Sequence, residues 1–338
     1  MSFKRYDADD FLVSSDSITS TLWSTGAPTL TEFYTSSVQE GGSSGNFYLS
    51  AYQIDPSSSS AVSQFEIAYA DSKGSGSSFY NTGVIGKSPS LSLYGQYRSL
   101  ILEDENASFT FGTGDNVFTS ENFWIISLDR ARYKESLFPG SLNLQLVGST
   151  TSISLTDNSK DATINTFIGS SRVYQLISGS NGSHGVVPNS GYVINSGSYG
   201  LVFPELGTII LNPNALSEFA GVAAVRTSNS ANGVNNTTLY DALTSGSGFT
   251  LNSQETINAN YVFTRARNSE FNYTQNPTFI SGSTGEIIYG NFINNPQTFI
   301  TTIGMYNDAN ELLAVAKLSR PLIKDFTKEA LVRVKLDF

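Results

Sequence analysis

The chain has 338 residues, net charge −10 and pI near 4.6, with 39% apolar residues and only 14% charged. That acidity argues against nucleic acid or an anionic membrane as a partner, and zero cysteines exclude disulfides, thiolate metal sites and cysteine nucleophiles. Polarity comes instead from Ser, Thr, Asn and 29 Gly beside 22 Phe and 17 Tyr, the composition of a turn-rich β protein.

Residues 1–30 read as an extended N-terminal arm, polar at its start and without a signal-peptide core, with Trp23 as an anchor for a neighbouring surface. Strands are expected at 32–37, 46–53 and 64–70, separated by Gly/Ser loops. Ser88-Pro89 opens a helix over 89–103. Strands follow at 108–111, 123–128 and 141–147, with a helix over 129–137 introduced by Asp129. Residues 31–148 thus read as a β-rich domain, and 149–256 as a second β-rich module or an elaboration of the first. Within the latter, strands are expected at 152–156, 163–168, 172–178, 191–195, 200–203 and 208–211, and helices at 215–221 and 238–243, the former closed by Gly221.

Residues 257–338 read as a C-terminal β domain. A strand at 259–264 is followed by a hairpin, 298–306 and 311–318, around the turn formers Asn307-Asp308-Ala309-Asn310. Pro321 is expected to break its pairing, since proline has no N–H for a ladder. Val332, Val334, Leu336 and Phe338 alternate with Arg333, Lys335 and Asp337, a strand period that points to a docked segment added to a neighbour's sheet. Residues 317–338 carry six Lys/Arg against three Asp/Glu. Such charges either protect an edge strand from mispairing or meet an acidic neighbouring subunit. Arg130-Ala131-Arg132 recurs as Arg265-Ala266-Arg267, each after an aromatic-rich strand, a repetition read first as chance and otherwise as two related sandwich halves with a guanidinium pair at corresponding strand ends. Arg265 and Arg267 are expected at an interface or pinning the turn after their strand, and with Arg130, Arg132, Arg333, Lys335 and Phe338 they join Trp23 as candidate interface residues. The fold expected is mainly β: antiparallel β-sandwich domains, a few short helices and extended termini.

No constellation for catalysis stands out. Gly41-Gly42-Ser43-Ser44-Gly45 matches a nucleophile-elbow pattern but precedes a strand, not a helix, and the single His184 lies in a Gly/Ser loop. One His and no Cys leave zinc without ligands. The acidic groups Asp7/Asp9/Asp10, 103–105 and Asp157/Asp161 lack the spacing that fixes calcium. Nucleotide-binding glycine motifs are absent. Trp124, Tyr94, Tyr97 and Tyr133 read as core or subunit-interface aromatics. No stretch is apolar enough to span a membrane, and no cofactor is expected.

Several stretches carry a family resemblance: Lys4-Arg5-Tyr6-Asp7 with Thr21-Leu22-Trp23; Arg130-Ala131-Arg132-Tyr133-Lys134-Glu135 with Pro139-Gly140-Ser141; Arg267-Asn268-Ser269-Glu270-Phe271; and Gly304-Met305-Tyr306-Asn307-Asp308 with Leu313-Ala314-Val315-Ala316-Lys317. Together these resemble virion structural proteins of contractile-tailed, T4-like cyanophage-type bacteriophages. The resemblance covers most of the chain, is loosest over 180–256, and brings no catalytic residues. It implies a tail or baseplate subunit, assembled in host cytoplasm and residing in the virion, with other virion subunits as partners and self-association open. A capsid decoration or neck protein, or a receptor-binding or glycan-cleaving tail protein, are the alternatives.

Overall fold

A computed structural model of the chain describes residues 4–35, 48–77, 88–112, 117–160, 166–185, 199–226, 233–273 and 276–337. It is mainly β, 45% strand and 16% helix, with antiparallel sheets. The chain forms two compact units: a larger one, Ile18–Glu255, and a smaller one made of Met1–Ser17 with Thr256–Phe338.

In the larger unit one sheet runs, in spatial order, through Thr29–Leu30, Phe249–Thr250, Asn143–Val147, Ser152–Asp157, Ser171–Ser180, Gly200–Phe203, Thr208–Leu211, Asn122–Leu128, Ser63–Asp71, Tyr48–Tyr52 and Tyr34–Thr35. Phe249 and Phe65 sit near opposite ends of that order, yet their ring centroids lie 5.5 Å apart, and Trp23 packs on both at 5.0 and 6.2 Å. The sheet therefore curls until its ends meet across an aromatic core, the sandwich-like form expected. Asn143–Val147 pairs with Ser152–Asp157, Leu144 opposite Leu155, so residues on either side of position 148 belong to one sheet.

The Asn122–Leu128 strand shows why the apolar runs were readable. Phe123 and Ile125 enter a cluster with Tyr94, Ile101, Phe109 and Phe111, while Trp124 and Ile126 enter the opposite one with Leu216, Leu239 and Leu243. Covered on both faces, the strand has no polar side to present and its sequence does not alternate. Each such side chain contributes about 1.5–3 kcal/mol of burial.

Helix Pro89–Tyr97 continues into a π-helical turn, Arg98–Leu102, which ends on left-handed Glu103 (φ 55°). The Pro213–Ala220 helix follows the sequence signals closely. The Asn212 side chain accepts from the Asn214 N–H, and Gly221 at φ 74° closes the last turn. Val234–Thr244 starts four residues before the expected position, out of Gly233 in the left-handed region.

The helix expected over 129–137 is not formed. Only the 3-10 turn Arg130–Arg132 exists, with the Asp129 side chain accepting from Ala131 N–H, and the chain then pairs Ser136 and Leu137 with Gln254 and Ser253. Tertiary strand pairing, with Leu137 buried, overrides good helix formers. The strand expected at 191–195 lies outside the described residues.

The strand Asn252–Ala266, in the smaller unit from Thr256 onward, is flanked in one sheet by Phe11–Thr21, in that unit as far as Ser17, and by Ala330–Asp337. The pairing with the last strand runs from Ala259 opposite Asp337 to Ala266 opposite Ala330. The strand thus pairs with its own chain along one edge and stands at the end of the sheet order among the described residues. A hairpin, Thr298–Tyr306 with Leu312–Lys324, forms a separate two-stranded sheet. Its turn is as expected. Asn307 N–H donates to the Glu311 carbonyl at 3.0 Å, Asn307 Oδ1 accepts from Glu311 N–H at 2.8 Å, and Asn310 takes φ 61°. Pro321 does not end the pairing. The register jumps between Thr302–Lys317 and Ile300–Leu322, so 318–321 bulge out around the proline and the ladder resumes to Lys324.

Candidate assembly surface

The smaller unit has a thin core. Val262 and Val334, on neighbouring strands, meet Met305 of the hairpin, with Ala314, Ala316, Val332, Leu336 and Tyr6 packed around them. Alternation along the hairpin turns Ile303 and Met305 inward, opposite Ala316 and Ala314, and leaves Gly304, Val315, Tyr306 and Leu313 on the outer face. Val315 is 57% and Leu313 68% exposed, with Phe299 at 59% and Phe326 at 62%. Phe11, Leu12 and Val13, at 51–69%, belong to the same unit. Among the described residues, most of the exposed large apolar side chains fall in this smaller unit. A soluble monomer rarely leaves contiguous apolar surface beyond a few hundred Å² uncovered.

One polar anchor supports the base of the hairpin. Lys324 is fully buried, and its ammonium donates to Asn268 O and Asn272 Oδ1, each at 3.0 Å, and to Asp325 O at 3.2 Å. Three donors meet three neutral oxygens, which is the full capacity of a lysine. A second tie uses Glu270, whose Oε2 accepts from Arg267 N–H at 2.9 Å and from Lys4 Nζ at 3.3 Å. Those two contacts, the backbone one first, hold its carboxyl below the usual glutamate range.

The residues singled out from sequence fall into three groups. Trp23 is 2% exposed and belongs to the larger unit's core; its role as an anchor on a neighbour is corrected, because the ring is already spent on Phe65 and Phe249. Arg130 is exposed but bound locally, Nη1 donating to Tyr133 O at 2.6 Å with the guanidinium 4.6 Å from the Tyr133 ring; Arg132 is half-buried in the same turn. Arg265, Arg267, Arg333 and Lys335 are exposed on the smaller unit, and Arg333 lies 5.3 Å over the Tyr261 ring. The two Arg-Ala-Arg triplets differ in conformation, one a 3-10 turn and the other the end of a strand, so they are not a structural repeat. Phe338, Ser43 and Asp161 lie outside the described residues. The aromatics Trp124, Tyr94 and Tyr133 are buried.

Carboxylates in the larger unit are used for structure. Buried Asp157 accepts from Gly140 N–H through both oxygens at 2.9 Å, and buried Asp71 takes Arg226 Nε at 2.7 Å with Lys73 N–H at 2.8 Å. Glu121 takes Lys73 and Arg226 and is held low by both. No group of three or more metal-ligating side chains occurs among the described residues. His184 is exposed in a two-residue strand. A cavity lined by Tyr69, Ser90, Asn235 and Asn236 holds about 10 Å³, roughly one water.

Sequence reasoning had marked charges, Trp23 and Phe338, and missed the apolar face of the hairpin. Its signal was present in Leu312-Leu313-Ala314-Val315, where apolar residues occupy both phases of a strand period. What fold and surface define is a mainly β, antiparallel protein with a small, thinly cored unit rich in exposed apolar strands. No family model, curated protein or solved structure matches the chain.

Proposed function

We propose that the chain is a non-catalytic structural subunit of a bacteriophage virion, placed in the contractile tail or baseplate and acting through multivalent subunit contacts. The observation that supports an assembly role is the smaller unit itself, with its few core residues and its exposed Phe299, Leu313, Val315 and Phe326. Burying such surface against neighbours supplies the free energy that the isolated unit lacks. The tail or baseplate position rests on the sequence resemblance. Charge fits this division of labour. The larger unit has eighteen Asp/Glu against nine Lys/Arg, whereas the smaller has eleven against ten. Copies thus repel through one unit and meet without net repulsion through the other. Antibody raised against the purified protein should decorate intact particles at the tail; particles that carry none of it sink the reading.

A further inference from the structure

We propose that Thr298–Tyr306 pairs edge to edge and antiparallel with the same strand of a second copy of this chain, joining two hairpins into one four-stranded sheet about a two-fold axis. The proposal goes beyond the virion role and concerns the purified protein alone.

A two-stranded sheet leaves both outer edges with unpaired N–H and C=O groups, a template for another strand. The two edges of this hairpin are not alike. Leu312–Lys324 is defended by exposed Lys317 and Arg320 and by the bulge around Pro321. Among the other strands of the smaller unit, Ala330–Asp337 carries Arg333, Lys335 and Asp337, and Phe11–Thr21 carries Asp16. Thr298–Tyr306 carries no charge and no proline over nine residues, and its register against the partner strand shifts at Thr301 and between Met305 and Tyr306. That length corresponds to about 30 Å of edge at roughly 3.4 Å per residue.

Electrostatics select a second copy as the occupant. Apposing Leu312–Lys324 with itself about its middle brings Lys317 of each copy against Arg320 of the other, and like charges facing each other across strands are destabilising. The same operation on Thr298–Tyr306 meets only Thr, Ile, Gly, Met, Phe and Tyr. A strongly acidic foreign partner has the opposite preference and is drawn to the Lys317/Arg320 edge. The hairpin also gains from the pairing, because an isolated two-stranded sheet is marginal in water and a four-stranded one is not. Thr301 and Thr302 are exposed, β-branched and near the middle of the strand, where cross-strand Thr contacts are favourable.

The test uses the full chain. Sedimentation should give a species of twice 36.4 kDa at micromolar concentration, and Thr302→Glu, whose carboxylate faces Lys317 within the hairpin but its own copy's charge across the proposed seam, should weaken self-association at least tenfold while leaving the circular dichroism unchanged. Because the protein has no cysteine, Thr301→Cys or Thr302→Cys supplies a unique thiol, and a short bis-maleimide, adding one thiol at each end as a thioether, should convert the pair to covalent dimer. Lys317→Cys, on the defended edge, should stay monomeric under the same treatment. A monomer at 100 µM, or cross-linking at Lys317→Cys in place of the two threonine sites, overturns the proposal. Neither result bears on whether the protein is found in particles, so the two readings fail separately.

Discussion

Replacing Lys324 by Met tests what holds the hairpin to the rest of the smaller unit. The methionine keeps the length and apolar stem but removes an ammonium that donates three hydrogen bonds. Hydrogen bonds to a charged group contribute about 1.5–3 kcal/mol each before the ion's own desolvation cost of several kcal/mol is subtracted. Of the acceptors stranded, Asn272 Oδ1 belongs to a buried residue, whereas Asn268 is exposed and regains water. The net loss is therefore about 2–4 kcal/mol, concentrated in a unit of about 100 residues, where 1 kcal/mol moves the midpoint by roughly 4–8 °C. Hydrogen exchange read by mass spectrometry should show amides of 268–272 and 298–324 exchanging 30-fold or more faster, with those of Asn122–Leu128 unaffected. Unchanged protection in 268–272 would falsify the idea that this ammonium pins the loop to the strand.

Three further outcomes are expected. Trp23→Ala should cost about 3–5 kcal/mol in denaturant unfolding without altering self-association; an interface anchor would give the reverse. Asn235→Ala should cost about 2–4 kcal/mol, because the buried side chain joins Gly76 O, Val225 O and Val225 N–H; a loss under 1 kcal/mol contradicts that. Glu270 has a depressed folded pKa, so its contribution is present above the ordinary glutamate value of 4.5 and disappears as pH falls through the lower folded value. Glu270→Gln should flatten the acid limb of stability against pH below about 4.5, modestly because the group is largely solvated, and a curve parallel to the parent's rules the linkage out.

Much of the larger unit could be read from sequence because its burial is extreme. Strands 123–128 and 208–211 are almost wholly apolar and 64–70 is apolar apart from Gln64 and Glu66, and Asn212, Pro213 and Gly221 bracket their helix by stereochemistry that acts within a turn. Reading failed where a distant partner decided the outcome. Residues 133–137 have helix-forming composition, but Ser136 and Leu137 are claimed by Ser253 and Gln254 from more than a hundred residues away. Asn252–Asn258 is strand despite a polar, non-alternating sequence, because neighbouring strands in the sheet satisfy its backbone. For the surface the limit is of another kind. Period-two alternation separates two faces of a strand, and it is silent on whether the outer one meets water or another protein. Trp23 suffered the converse ambiguity, since one tryptophan among polar residues fits a core and an interface equally well.

The path of the chain through the smaller unit has a consequence for how the protein can be altered. It leaves that unit after Ser17 and re-enters at Thr256, and the strands on either side of the gap are sheet neighbours, with Ser15 Oγ bonded to Asn258 Oδ1 at 2.6 Å. The larger unit is a guest whose two stems stand side by side in its host. Neighbouring strands lie about 4.8 Å apart, a gap that a short turn closes. Evolution or an engineer can therefore swap the guest for another cargo without recutting the strands that would carry self-association.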